Sequence, residues 1–490
     1  GLILKANSTL KLGDNFGGQP GSNFPADYSY ISIDKTSTVE YYAVSPYNQV
    51  IYTDVIYGNL TLTNNSRKYI NASLIIDGNL TNNVGSTFGC DELTVLFGAS
   101  FINNGIVDGL YTNSEFGFYG DAAQNYSGTG LFGTAGTPFG SWGVDIYNPA
   151  NVTLNASIYT QRVNLFNGKF INSNQLNIGS ATFGLVQRGG VTGENAGEFD
   201  TYPAIISVNN YYVRYDEANA VTTGPEIPVT GKTYNVYANN PNGVSITSNL
   251  NVTNDLQLIQ NTLNLNANTL QVGNLITKTG GNINGSAGSL EMNGTTAQTI
   301  PDNTFQNNNL KNLVISNTNN VTGVTLADTL DVYRSVTFGP GGRKLTTGGF
   351  LSLKSTATET AWLGQMTASN SIVGNTTVER YIPLHSKAWQ FLAVPATGQT
   401  VNAAWQEGNA PLSTALNPGY GTLITSNYAG AGFDIIGGSG PSMMTYDTTA
   451  KTFLGIPNTT IPIYNRKGYM LFVRGNRTVA NIITPATSAN

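Results

Sequence analysis

Ile75-Ile76-Asp77-Gly78-Asn79-Leu80-Thr81-Asn82-Asn83 reads as two short apolar strands parted by an Asp-Gly-Asn turn. The texture returns at Leu256-Gln257-Leu258-Ile259-Gln260-Asn261-Thr262-Leu263-Asn264-Leu265. Such segments recur at about one per 20 residues, within the range of solenoid repeats. Around them, Leu60-Thr61-Leu62, Leu93-Thr94-Val95-Leu96 and Val244-Ser245-Ile246 mostly alternate with the period of two that marks a half-buried strand. Asn, Gly and Thr interrupt every stretch with helical spacing. The chain is therefore expected to be all-β: an Asn/Gly-rich right-handed parallel β-solenoid, or β-helix. Alternate apolar residues would fill a narrow core, and Asn would ladder at the turns. Tandem β-sandwich modules give the same alternation, and periodicity alone does not separate the two.

Longer copies support the repeat. Ser37-Thr38-Val39-Glu40-Tyr41, Gln49-Val50-Ile51 and Gly58-Asn59-Leu60-Thr61-Leu62-Thr63-Asn64 form one unit. Ser289-Leu290-Glu291-Met292-Asn293-Gly294, Gln298-Thr299-Ile300-Pro301 and Lys311-Asn312-Leu313-Val314-Ile315-Ser316-Asn317 form another. Residues 1–105 and 229–370 are read as solenoid repeats. Residues 106–228 are read as insertions on the solenoid, first Gly- and aromatic-rich (Tyr111, Phe116, Phe118, Tyr119, Tyr126, Phe132, Phe139, Trp142, Tyr147), then charged (Arg188, Glu194, Glu198, Asp200, Arg214, Asp216, Glu217, Glu226). From about 371 Trp, Pro, Arg and Lys return, and residues 371–490 are expected to form an antiparallel β-sandwich-like module.

Composition narrows the function. Charged residues make up 10% of the 490, against about 25% in an ordinary domain. The net charge of −5 leaves no basic stripe for phosphates, so nucleic acid is not expected as a partner. No apolar run reaches the ~18 residues of a membrane span. Cys90 is the single cysteine, which excludes an internal disulfide and reads as a buried structural thiol. The chain opens on Gly1 and closes on the loop-like Thr484-Pro485-Ala486-Thr487-Ser488, and both ends read as cuts through a longer protein.

Val378-Glu379-Arg380-Tyr381-Ile382-Pro383 and Lys387-Ala388-Trp389-Gln390-Phe391-Leu392-Ala393-Val394-Pro395 are followed in order by Gly419 to Thr425, Gly432-Phe433-Asp434, Pro441 to Asp447 and Lys467 to Arg477. Over about 378 to 480 this series resembles the large secreted, adhesin-like cell-surface proteins of Bacteroidetes. The resemblance implies export by the type IX secretion system and residence at the outer cell surface or in the medium. The translocon and an extracellular glycan or protein ligand would be the partners. It supplies no catalytic residues.

Enzyme signatures are missing. His385 is the only histidine and lies in a Pro-Leu-His-Ser turn without a neighbouring carboxylate. No calcium loop, phosphate-cradling loop or nucleophile elbow appears. No cofactor or metal is expected. Among the carboxylates, Glu194, Glu198 and Asp216, with Asp200 and Glu217, are the candidates for a polysaccharide-cleaving pair; the alternative is a solvated loop. Tyr111, Phe116, Tyr119, Tyr126 and Trp142 are the candidate ligand or glycan contacts, since such rings stack on sugars or on a protein; the alternative is a local core. Arg380, Arg474 and Arg477 are expected to pair with Asp434 or Glu379. The expected role is a non-enzymatic structural or adhesive surface protein, the alternative a polysaccharide-binding or polysaccharide-cleaving β-helix.

Overall fold

The computed structural model describes residues 1–13, 22–109, 113–140, 142–190, 196–207, 209–216, 218–383, 388–393, 398–408, 421–427, 430–434, 440–463 and 467–473. They fall into two compact units, one of Gly1–Leu353 with Ala361–Val378, the other of Lys354–Thr360 with the residues from Glu379 on.

The first unit is a parallel β-solenoid of about 16 turns. In its N-terminal part each turn lays short strands on three faces. The first face runs from Thr9–Leu12 and Thr38–Tyr41 through Asn59–Leu62, Leu80–Asn82 and Phe101–Asn103 to Glu198–Phe199. The second holds Gln49–Val50, Arg67–Tyr69, Thr87–Gly89, Ile106–Asp108 and Leu131–Phe132. The third holds Ile56–Tyr57, Leu74–Ile76, Thr94–Phe97, Glu115–Phe118, Gly143–Tyr147, Arg162–Asn167, Gly184–Gly189, Tyr211–Asp216 and Lys232–Asn239, and continues beyond. Further on, one strand can serve two faces: in Leu250–Gln260, residues 250–252 pair with 270–272 and residues 255–258 with 275–278.

The period of two decides which side chains enter the core. Val39, Leu60, Leu80, Phe101, Tyr126 and Leu154 stand in register on successive first-face strands and are all fully buried. Burying one such side chain contributes roughly 1.5–3 kcal/mol. Asparagines tie coil to coil at the turns. Asn59 Oδ1 accepts from Asn79 N at 2.9 Å, 20 residues ahead, and Asn79 Oδ1 accepts from Ser100 N at 3.0 Å. Asn274 donates to Asn254 at 3.1 Å, and Asn254 to Asn235 at 2.8 Å. Asn also tolerates the left-handed backbone of tight turns, as at Asn64 (φ 63°) and Asn266 (φ 53°). Coils approach closely at Gly78, where a Cβ would lie 2.4 Å from the Gly58 carbonyl oxygen.

Residues 106–228 are not insertions. Their strands continue the first and third faces in register, Phe116 with Val144, Gln124 with Val152 and Val186 with Val213. The aromatic composition has a packing cause: Phe97, Phe101, Phe116, Phe132 and Phe139 meet edge-to-face or stacked inside the coils. Rings fill the wider turns here, where ladder bonds span more residues, as from Thr129 N to Asn104 Oδ1, 25 residues back. The charged stretch folds the same way. Arg188 is buried within the coils, its Nη1 3.2 Å from Glu226 Oε1, and Glu226 also accepts from Tyr215 Oη at 2.9 Å and Gly224 N at 2.7 Å.

The second unit is antiparallel, and among the described residues it carries one four-stranded sheet in the order Ala388–Ala393, Gly468–Val473, Met443–Asp447, Thr452–Gly455. A core of Ile382, Val401, Ile424, Phe433, Met443, Tyr469 and Leu471 lies on one side. Thr400 caps the short helix Val401–Trp405 by accepting from Ala403 N at 3.1 Å.

Candidate functional site

The third face presents the feature best suited to contact with a ligand. Its inward residues belong to the core, so the alternate residues point outward, and the register stacks them in a row up the solenoid. From Ile56 the row runs through Ile75, Leu96, Gly117, Asp145, Asn164, Gln187, Arg214, Tyr237 and Gln257 to Thr277. Successive members are spaced at the ~4.8 Å of neighbouring strands. The row is apolar and exposed at its start, with Ile56 52% and Ile75 38% exposed, and polar from Asp145 on.

The polar stretch is tightly wired. Asp145 is only 2% exposed; Asn164 Nδ2 donates to its Oδ1 at 2.5 Å and Tyr147 Oη to its Oδ2 at 3.2 Å. Burial, and next the charge and hydrogen-bond contact of Glu115, push the Asp145 carboxyl well above the usual carboxylate range. Tyr147 stacks on Phe166 at 4.6 Å, and a Cβ on Gly117 would lie 2.5 Å from Leu96 Cδ2 on the preceding coil. Arg162 donates to two neutral amides, through Nε to Asn164 Oδ1 at 2.6 Å and through Nη2 to Gln187 Oε1. Its pKa is lowered, with burial as the largest cause. Arg214 Nε pairs with Asp216 and its guanidinium lies 5.8 Å over the Tyr237 ring, while Asn239 holds Asp216 Oδ1 at 2.6 Å. Tyr212, between Phe183 and Tyr234 at 5.5 Å each, adds an aromatic edge.

The candidate residues scatter against this face. Phe116 and Tyr126, expected as ligand contacts, are fully buried core rings, because they occupy inward positions of their strands. Tyr119 is partly exposed and its hydroxyl donates to Asp77. Trp142 is 46% exposed beside the polar stretch, and its carbonyl accepts from Asn164 Nδ2 at 3.1 Å. Tyr111, Glu194, Glu217, His385, Arg474 and Arg477 lie outside the described residues. Glu198 is on the first face, paired with Lys169 at 2.5 Å, whereas Asp216 is on the third, so these two carboxylates do not converge. Asp200 accepts from Asn172 N and Ser173 N at a turn. Glu379 pairs with Lys354.

Glu115, Asp145, Arg162 and Gln187 escaped the sequence reading. Their signal is the polar member of each alternation, as in Val144-Asp145-Ile146 and Arg162-Val163-Asn164, but only the register shows that the strands stack. Cys90 is fully buried, and burial pushes its thiol pKa well up. Among the described residues no group of three or more His, Cys, Asp or Glu could hold a metal ion, and no helix is long and apolar enough to cross a membrane. No family model, curated protein or solved structure matches this chain.

Proposed function

We propose that this chain is a non-enzymatic, adhesive or structural protein of the bacterial outer surface, exported as type IX cargo, that contacts an extracellular glycan or protein along the third face of its solenoid. The observation that carries the adhesive part is the outward row from Ile56 to Thr277, in which side chains of successive coils stand in register. Repetition along a stiff scaffold lets individually weak contacts act together. The low charge of the chain suits a neutral glycan better than a polyanion. The address rests on the resemblance of residues 378–480. Binding of the purified chain to an array of glycans and extracellular proteins tests the role: the reading predicts at least one ligand, weakened by replacing Tyr212 and Tyr237 with alanine. A ligand whose affinity ignores both substitutions sinks it. Loss of the protein from the surface of a translocon-deficient strain tests the export.

For a cleaving activity the one pair of carboxyls in contact on this face, among the described residues, is Glu115 with the buried Asp145, and it weighs against that reading. Hydrogen-bonded carboxyls are closer than the ~5 Å that a retaining glycosidase needs, and closer still than an inverting one requires. Both oxygens of Asp145 are already occupied by Asn164 and Tyr147. Turnover of a polysaccharide panel that Glu115→Gln abolishes would reverse this preference.

A further inference from the structure

The antiparallel sheet of the second unit is apolar on both faces. Met443, Tyr469 and Leu471 turn to the core described above. On the opposite face the register sets Trp389 against Phe472, Phe391 against Met470, Met470 against Met444, and Tyr446 against Phe453. None of these seven belongs to that core. An antiparallel sheet with one solvated face ordinarily alternates apolar inside with polar outside. Here the Trp389 N–H and the Tyr446 hydroxyl are the only polar side-chain groups among the described residues of the outer face. Its rings meet across the strands, with centroids 5.1 Å apart for Trp389 and Phe472, 6.0 Å for Phe391 and Phe453, and 5.2 Å for Tyr446 and Phe453. Phe391 is 73% exposed, Tyr446 50%, and Trp389 and Phe453 38% each.

We infer that a second copy of this chain docks on this face, sheet against sheet, about a two-fold axis. The chemistry of the face selects that occupant. It carries no charge among its described residues, so it has nothing with which to hold an ionic partner. Neighbouring ring planes are inclined by 54°, 54° and 66°, which makes a ridged surface instead of the flat platform on which a sugar chain stacks. Ridges suit the side chains of a facing sheet, which interdigitate when two sheets pack about 10 Å apart. A face that is apolar throughout is complementary to itself, as a two-fold axis requires. Its size is sufficient. An aromatic side chain covers roughly 150–250 Å² when buried, so the exposed parts of the four rings with Met444, Met470 and Phe472 come to roughly 500 Å² per chain. Two chains together bury about 1,000 Å², where specific interfaces begin. Met444 and Met470, on the two central strands, can adapt their shape to the partner. The inference goes beyond the adhesive reading and does not rest on it: a pair of chains carries two third faces, whose weak contacts then act together.

The test is analytical ultracentrifugation of the full chain over a wide range of concentrations. A reversible monomer–dimer equilibrium is expected. Phe391→Asp and, independently, Phe453→Asp should each weaken it at least about tenfold, because a buried aromatic anchor carries much of an interface. Met470→Cys should form a disulfide-linked dimer under mild oxidation, since Met470 stands between Phe391 and Met444 at the middle of the face. Cys90, the single native cysteine, is buried and leaves that background clean. A monomer at every concentration would overturn the inference. So would a dimer indifferent to both aspartates, as pairing through the edge of Ala388–Ala393 or through the solenoid would be, or one dispersed by neutral oligosaccharides. The adhesive reading stands or falls separately, because its readout is the Tyr212 and Tyr237 substitutions.

Discussion

Asn164 Nδ2 donates to Asp145 Oδ1 at 2.5 Å across two adjacent coils, on an outer face where Asp145 is nonetheless almost wholly buried. The pair is a polar contact held by the register of the solenoid, and it sets the first prediction. The Asp145 carboxyl sits well above its ordinary 3.8 in the folded chain. Between that ordinary value and the raised one the folded state binds more protons than the unfolded state, so stability falls as pH rises through this window. Asp145→Asn should therefore raise the melting temperature at neutral pH and lose that advantage by pH 4. Melting curves across the range check it; a variant destabilised equally at every pH contradicts the assignment.

Arg188 and Glu226 are joined inside the coils, with relative side-chain exposures of 7% and 0%. Removing one partner strands a buried charge. Glu226→Ala or Arg188→Ala should cost about 3–5 kcal/mol, while replacing both with leucine should cost less than either single change. Denaturant titrations of the two singles and the double form the cycle that measures this.

Asn82 Nδ2 donates to Asn103 Oδ1 at 2.9 Å with both side chains fully buried. Asn103→Ala leaves that donor short of a partner and should cost about 1–3 kcal/mol. Hydrogen exchange should show the loss as faster opening of the coils around residues 80–106, with remote coils unchanged, because each coil contacts only its neighbours.

Cys90 combines full burial with a thiol pKa driven upward by that burial. Native protein should resist iodoacetamide at pH 8, and labelling should become complete only in denaturant. Rapid labelling of the folded chain would contradict its place in the core.

The coils were legible before the structure because period two and Asn-Gly turns are local properties, seen in Ile75-Ile76-Asp77-Gly78-Asn79-Leu80. The fate of residues 106–228 was not. Phe116 and Tyr126 look like an exposed aromatic patch in sequence, and only the pairing of their strands with 144 and 152–154 turns them inward. The wired face was hidden for the same reason. Asp145 and Arg162 are unremarkable singly and gain meaning from adjacency across coils, which linear spacing does not report once turn lengths vary.

The bonds from Asn79 back to Asn59 and from Asn274 back to Asn254 each span 20 residues. A change that removes or duplicates one whole turn returns every later residue to an equivalent neighbour, whereas loss of a single residue within a strand flips the remainder of that strand and sends its leucines to solvent. The turn is thus the heritable quantum of this molecule. A whole turn can be added or removed while the same inner ladder is kept, so the reach of the solenoid is set in steps of one turn.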